Sequence, residues 1–450
     1  MASILAVATL GAQPVDVAGT LPEDYFPALA PILKAALAKS PRVLEREIEI
    51  EEQEARELGA NSARLPRLGG DLSYAYNRTA VSGQSGIQYR DDGLFYRLEL
   101  SQSLFHWGAL RNETERARMA TAIAEKNYAE AYRLLAVALR SGYVDLVATK
   151  LHVRQLRQRQ RLREAALATD QEKLASGTIS PGHAERQKLA AREAALGLGR
   201  AEMQLVALCR AFARLAGLAE FTETNIPGLV PKPVHSAGLA SAVVAPLLRE
   251  GGRSAFEAQV HALNAQEADL RLEIARVRLL PKFNATAGYY LENTTNATLL
   301  NVTQQGVERQ GFAINAQWSI FDGLATRGAR QEALAAKRLA ERRLATAAGE
   351  AVERVQNLQR LLEIEAEAVE LAEERRGFLM EELERTRGEV ELGNAPPSRI
   401  EQVSADLDQQ EAYAAMARAN YLRVWSELVS LAGADPALNN LPASHVRHQR

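Results

Sequence analysis

The groups of this chain able to do acid, base or nucleophilic chemistry are seven histidines, one cysteine and 56 acidic residues. Their spacing forms no catalytic or metal-binding constellation. His106, His152, His183, His235 and His261 are scattered, without the short intervals that bring two imidazoles to one metal. Cys209 stands alone, which excludes an internal disulfide framework and a thiolate metal site; a small buried helical side chain is the expectation for it. The carboxylates lie among Arg and Lys on charge-rich helices, where a Glu is a solvated flank residue. Asn-x-Thr triplets such as Asn293-Thr294-Thr295 read as polar loop text. The chain is therefore expected to be no enzyme and to hold no cofactor, metal or catalytic site.

The chemistry that the residue pattern does support is partition between oil and water. In Tyr96 to Leu104 apolar residues alternate with Arg97, Glu99, Ser101 and Ser103. Such a two-residue period marks a strand that is apolar on one side and wet on the other. The pattern recurs 216 residues on, with Phe312, Ile314, Ala316, Trp318 and Ile320 against Asn315, Gln317 and Ser319, and with Phe105 over Phe321. Two related halves follow from that self-similarity.

Bulk properties add exclusions. Hydrophobic residues make up 47% and charged residues 24% of the 450, and the formal net charge is -2, so no electrostatic nucleic-acid binder is indicated. Residues 1–21 read as a signal-like or disordered leader, apolar and small but without a basic start or a nearby cysteine for a lipid anchor. Beyond it no run approaches the roughly 20 apolar residues of a spanning helix, so any membrane insertion must come from strands.

In chain order, the first repeat occupies 22–216: a helix to about residue 64, a β-hairpin over 68–105, a long helix over 111–175 and a return helix over 181–216. Residues 217–252, punctuated by Pro and Gly, form the linker. The second repeat occupies 253–432, with a helix, a β-hairpin over 283–321, a long helix over 327–392 and a return helix over 398–431. A tail, expected to be disordered, covers 433–450. Loops are expected at 81–93 and at about 294–309. Each long helix of roughly 65 residues measures about 98 Å and needs a coiled-coil partner along its length. Leu198, Leu205 and Phe212, and Leu344, Ala351 and Leu358, supply heptad seams for antiparallel return packing.

Four one-sided strands cannot close a barrel, which takes about eight. An open sheet would expose both its edges and its apolar face. Association of copies removes both problems: two give 8 strands, three 12 and four 16. The spacing alone does not choose.

The junctions Ser103-Leu104-Phe105-His106-Trp107-Gly108 and Ser319-Ile320-Phe321-Asp322-Gly323, the Leu65-Pro66 and Leu280-Pro281 strand starts, and the turns at Gly177 and Gly393 come in the same order in both halves. In these features the chain resembles the TolC-type outer-membrane efflux proteins over roughly residues 28–432. The resemblance implies a mainly α fold with a four-strand β contribution, and a homotrimer sharing a 12-stranded transmembrane β-barrel and an α-helical barrel of coiled-coil hairpins. It implies an exit duct for efflux or type I secretion. Implied partners are a periplasmic adaptor, a proton-driven or ATP-binding inner-membrane transporter, and outer-membrane lipid.

In that arrangement Tyr74, Tyr76, Tyr96, Leu98 and Leu100 are expected to meet lipid, with Tyr289, Leu291, Phe312, Ile314 and Trp318 from the second half. Arg97, Glu99, Ser101, Asn315 and Gln317 are expected to line the pore. Phe105, Gly108, Phe321, Asp322 and Gly323 are the strand-to-helix joints. Some relatives close the periplasmic tip with aspartates shortly after the second turn glycine. At that spacing this chain has Arg399 and Gln402, with His183 and Arg186 in the first half and Glu185 and Glu401 nearby. A soluble periplasmic coiled-coil scaffold or adaptor is the competing reading; it accounts for the heptads but not for the duplicated strands.

Overall fold

The computed structural model describes residues 17, 19–80, 88–297 and 302–440. The expected leader up to residue 16, the hairpin tips at 81–87 and 298–301, and the tail from 441 lie outside the described residues.

The chain divides into two units. One comprises Ile48–Glu125 and Val260–Ala345; the other comprises Met1–Glu47, Lys126–Gln259 and Thr346–Arg450. The first of these contains the only sheet among the described residues: β1 (Arg67–Ala80), β2 (Gln88–Phe105), β3 (Lys282–Ala297) and β4 (Val302–Gln317), antiparallel in the order β1-β2-β3-β4. Most of the text expected as loop before Gly93 and after Thr294 is strand. Polar residues there do not stop an antiparallel ladder, whose bonds are made by the backbone. The second hairpin is shorter at its base than expected, since β4 stops at Gln317, paired with Lys282. Pro281 precedes Lys282 and has no N–H to extend the ladder.

Beside the sheet, this unit holds most of α3 (Pro41–Ser62) and α7 (Phe256–Arg276) and the starts of α4 (Ala109–Ala175) and α8 (Ala325–Glu391). Its small apolar contact joins Leu272 and Ala275 of α7 to Ala333 of α8. Charge pairs do the rest: Arg116 to Glu267 at 2.7 Å, Arg118 to Glu57 at 3.1 Å and Lys337 to Asp269 at 2.6 Å.

The other unit is a layer of helices whose lateral order is fixed by contacts. Arg157 of α4 reaches Glu202 of α5 (Pro181–Ala216) at 2.9 Å. Arg133 of α4 donates to Ser430 Oγ of α9 (Pro397–Leu431) at 3.3 Å. Gln410 of α9 donates to the Ala372 carbonyl of α8 at 3.2 Å. The order is thus α5, α4, α9, α8, and most of the expected seam residues are buried inside it: Leu205 and Phe212 on α5 and Ala351 and Leu358 on α8. Gly142, the one glycine within α4, lies under Phe212, whose ring carbon would sit 3.4 Å from an added Cβ.

Expectations about the linker and the chain ends need correction. Helix α3 starts at Pro41 behind an extended Ser40 (ψ 130°), as expected of a Ser-Pro helix start, and the text ahead of it forms α1 (Pro22–Tyr25) and α2 (Leu29–Lys39). The linker contains α6 (Ala237–Arg249), whose Val243, Val244 and Leu247 are buried. Ordered structure also continues past Gly433, since Pro436–Asn440 is a 3-10 helix and Asp435 is 2% exposed. Val17 and Leu21, within the expected leader, are buried as well.

Arg140 ties these ends down. Its side chain has no solvent exposure and bonds Asp435 Oδ2 at 2.5 Å and Glu23 Oε2 at 2.7 Å. Burial opposes its charge, but the bonds to Asp435 and Glu23 prevail and hold its pKa above the ordinary value. Among the described residues no helix is long and apolar enough to cross a membrane.

Removing one member of a buried ion cluster leaves the others uncompensated. Arg140→Ala is expected to lower unfolding stability by about 3–5 kcal/mol. The triple replacement Glu23→Gln, Arg140→Met and Asp435→Asn, which strands no charge, is expected to recover most of that in urea denaturation.

Candidate functional site

The functional surface is built from three places: the sheet faces, the joints where strands become helices, and the helical turns. Directly paired residues of an antiparallel ladder point to the same side. The register pairs Leu72 with Tyr96 and Tyr96 with Leu291, Leu98 with Tyr289, and Ala287 with Phe312. Hence Tyr74, Tyr76, Tyr96, Leu98, Leu100, Tyr289, Leu291, Phe312 and Ile314 share one face, and Trp318 follows one residue beyond β4. Large apolar groups are bare there: Phe312 is 85% and Leu72 72% exposed. Arg97, Glu99, Ser101, Asn315 and Gln317 share the opposite face, where Asn315 donates to Thr286 Oγ1 at 3.2 Å.

Three residues of these faces escaped the sequence reading. Leu94 pairs with Tyr74 on the apolar side. Tyr290 and Arg309 pair with each other on the polar side. Arg309 fell in text read as a loop, and only the register brings it opposite Tyr290.

At the joints, the chain turns through two consecutive left-handed residues. In the first copy these are Trp107 (φ 54°) and Gly108 (φ 82°); in the second they are Gly323 (φ 64°) and Leu324 (φ 71°). At the 216-residue offset Trp107 meets Gly323 and Gly108 meets Leu324. The backbone is duplicated, but glycine relieves the first position in one copy and the second in the other. Only glycine occupies that region without steric cost, so each joint holds one strained side chain.

Different contacts brace the two joints. Trp107 Nε1 donates to the Pro281 carbonyl at 2.7 Å, and its ring meets Phe105 edge-on at 4.9 Å. His106 Nε2 lies 2.9 Å from Asn284 Oδ1. In the second joint Asp322, the counterpart of His106, accepts from Thr326 N at 2.9 Å and from Thr326 Oγ1 at 2.5 Å. It thereby caps the start of α8, and those Thr326 bonds hold its carboxyl below the usual range.

The two turns are alike. Gly177 (φ 73°) donates to the Leu174 carbonyl and Thr178 to that of Lys173; Gly393 (φ 74°) donates to Val390 and Asn394 to Glu389. Both are Schellman closures of a long helix. Beyond each, the third residue of the return helix reaches back. His183 Nε2 lies 3.4 Å from Asp170, and Arg399 Nη2 lies 3.1 Å from Glu382 Oε1. Arg399 also donates to Gln402 at 3.2 Å. Glu185, Arg186 and Glu401 are exposed, with Glu185 3.4 Å from Lys188. Arg399 therefore fastens the hairpin besides carrying charge.

One cleft of about 900 Å³, lined by Arg154, Arg157, Lys232, Glu373, Asp408 and Arg418 among others, contains no cysteine, histidine or serine to act as nucleophile or base.

Comparison with known proteins follows from this geometry. Residues 32–217 and 251–434, the two repeats, match the sequence profile of the outer membrane efflux protein family. Among solved structures, the chain is similar to the CmeC outer membrane channel of Campylobacter jejuni (13% identity, 92% of this chain and 88% of that one, TM-score 0.73). It is also similar to the outer membrane protein VceC of Vibrio cholerae (14%, 91% and 97%, 0.70). A third is the open state of the MtrE outer membrane channel of Neisseria gonorrhoeae (15%, 94% and 93%, 0.68). At these identities the likeness establishes a shared fold. No curated protein sequence matches the chain.

The offset glycines give opposite expectations for neighbouring residues. Gly323→Ala is expected to destabilise by about 1–2 kcal/mol, the cost of a Cβ in the left-handed region. Leu324→Gly is expected to leave the thermal midpoint unchanged or raise it, as calorimetry of the purified protein would read.

Proposed function

The chain belongs to the outer membrane efflux protein family, and from that premise we propose that three copies build one continuous duct. As a member it is an outer-membrane efflux protein reaching into the periplasm, a transport duct and not an enzyme. The soluble-scaffold reading is not favoured.

The number three follows the family, and the observation that carries the association of copies is unused surface on the two edge helices. On α5, Leu189, Leu196 and Met203 recur every seven residues and are 53%, 65% and 75% exposed. On α8, Ile364, Leu371 and Phe378 do the same, at 62%, 47% and 60%. Both rows lie opposite the buried seams of their own helices. A seven-residue apolar row is a coiled-coil half-site, and α5 and α8 are the two ends of the lateral order. Packing α5 of one copy on α8 of the next satisfies both rows and closes a ring of helices.

The sheet supports the same association of copies. Its outer strands, β1 and β4, each carry one unpaired row of backbone groups, which hydrocarbon does not tolerate. Pairing β4 of one copy with β1 of the next removes every edge, and three copies give 12 strands. The face bearing Leu98, Tyr289, Phe312 and Ile314 then meets lipid. The face bearing Arg97, Glu99, Ser101, Asn315 and Gln317 lines water.

The turns at Gly177 and Gly393 form the periplasmic tip, with His183, Glu185, Arg186, Arg399, Glu401 and Gln402 around its opening. There a periplasmic adaptor joins the duct to a proton-driven or ATP-binding inner-membrane transporter. Cargo is chosen chiefly by that transporter.

Two measurements test this reading. A charge at Leu98 or Ile314 is expected to cost about 2–4 kcal/mol near the bilayer midplane and to reduce membrane insertion. Variants that insert as well as the parent would invert the assignment of faces. Light scattering of the detergent-extracted protein should give three chains per particle, and release from envelopes by salt alone would defeat the outer-membrane reading.

A further inference from the structure

Resting on the barrel orientation just proposed, we infer that Asp71, Arg97, Tyr290 and Arg309 form a cationic girdle that favours anionic groups passing through the barrel. The register pairs Asp71 with Arg97, Arg97 with Tyr290, and Tyr290 with Arg309. One residue from each strand therefore stands in a single row across the polar face of the sheet.

The row is preorganised on one side. The Arg309 guanidinium carbon lies 5.8 Å from the centroid of the Tyr290 ring, in the range of a cation–π contact. The ring leans over Gly288, where an added Cβ would lie 3.5 Å from Tyr290 Cε1. The ring supports the guanidinium.

Within the row itself positive charge is in excess. The row holds two guanidinium groups and one carboxylate. The adjacent row toward the helices, Gly69, Glu99, Gly288 and Gly311, offers one carboxylate and otherwise bare backbone. Arginine keeps its charge at every physiological pH. Three copies join the rows end to end, giving a ring of charged side chains of the kind that sets ion preference in pores. The favoured class is molecules bearing a carboxylate, sulfonate or phosphate group.

Thiol accessibility in outer-membrane vesicles tests this without requiring the periplasmic tip to open. With Cys209→Ser as background, a reporter is placed at Ser101→Cys, beyond the girdle from the hairpin tips, and a control at Leu100→Cys on the other face. Each is treated with a sulfonate-bearing and a trimethylammonium-bearing methanethiosulfonate of similar size. The expected result is faster reaction of Ser101→Cys with the sulfonate. That preference should fall toward parity when Arg97→Gln and Arg309→Gln are added, and grow with Asp71→Asn. A reactive Ser101→Cys whose preference is unmoved by these changes overturns the girdle and leaves the barrel orientation standing. An inert Ser101→Cys beside a reactive Leu100→Cys overturns the orientation and the girdle with it.

Discussion

One constraint governs the proposed duct: a backbone hydrogen-bonding group has no water to fall back on inside a bilayer. A chain that supplies four antiparallel strands leaves one row of N–H and C=O groups on β1 and another on β4. In hydrocarbon each unsatisfied group costs several kcal/mol, and in the proposed barrel copies joined edge to edge remove that cost. The helices meet a milder form of the same demand. Exposed heptads on α5 and α8 leave apolar surface facing water, and only another helix edge covers it efficiently. Strand edges and helix edges are thus both exposed within one chain, and in the proposed trimer the same neighbouring copies cover both.

Duplication solves the handover between these two kinds of structure twice, by different local means. Both joints need two left-handed residues in succession, and a fully glycine pair would satisfy them without strain. Each copy instead keeps one side chain in that region, Trp107 in one and Leu324 in the other. The first is held by an indole hydrogen bond to β3's flank, with His106 bonded to Asn284 beside it; the second is followed by a carboxylate cap, Asp322 on Thr326. Equal backbone geometry with unequal side-chain support is what two diverged halves produce when the path of the chain is fixed and its fastening is free.

The Arg140 cluster is the counterpart at the chain ends. Helices held by coiled-coil seams have no means of locating a short flanking segment. A buried guanidinium with five fixed donors specifies position and orientation together. Glu23 arrives from the first helix, α1, and Asp435 from just beyond the last, so one residue in the middle of α4 indexes both. Such a cluster contributes little net stability compared with apolar packing; its use here is placement.

How much of this was legible in the text of the chain depends on the range of the forces involved. Alternation in Tyr96–Leu104 and Phe312–Gln317, the long proline-free helices and the turns at Gly177 and Gly393 are local signals, and they determined the element order, the duplication and the two sheet faces. Residues that matter only through a distant partner were not legible. Arg309 read as loop, because its strand character comes from pairing with Tyr290; Asp435 read as tail, because its burial depends on Arg140, 295 residues away. Pro281 ended β4 from the far side of a hairpin. The sequence by itself determined which surfaces are apolar and at what period, because side-chain hydropathy and backbone propensity act within a few residues. Tertiary structure alone decided which residues stand opposite one another across the sheet and which carboxylates meet Arg140, because register and ion pairing are set by the closure of long loops that no local pattern records.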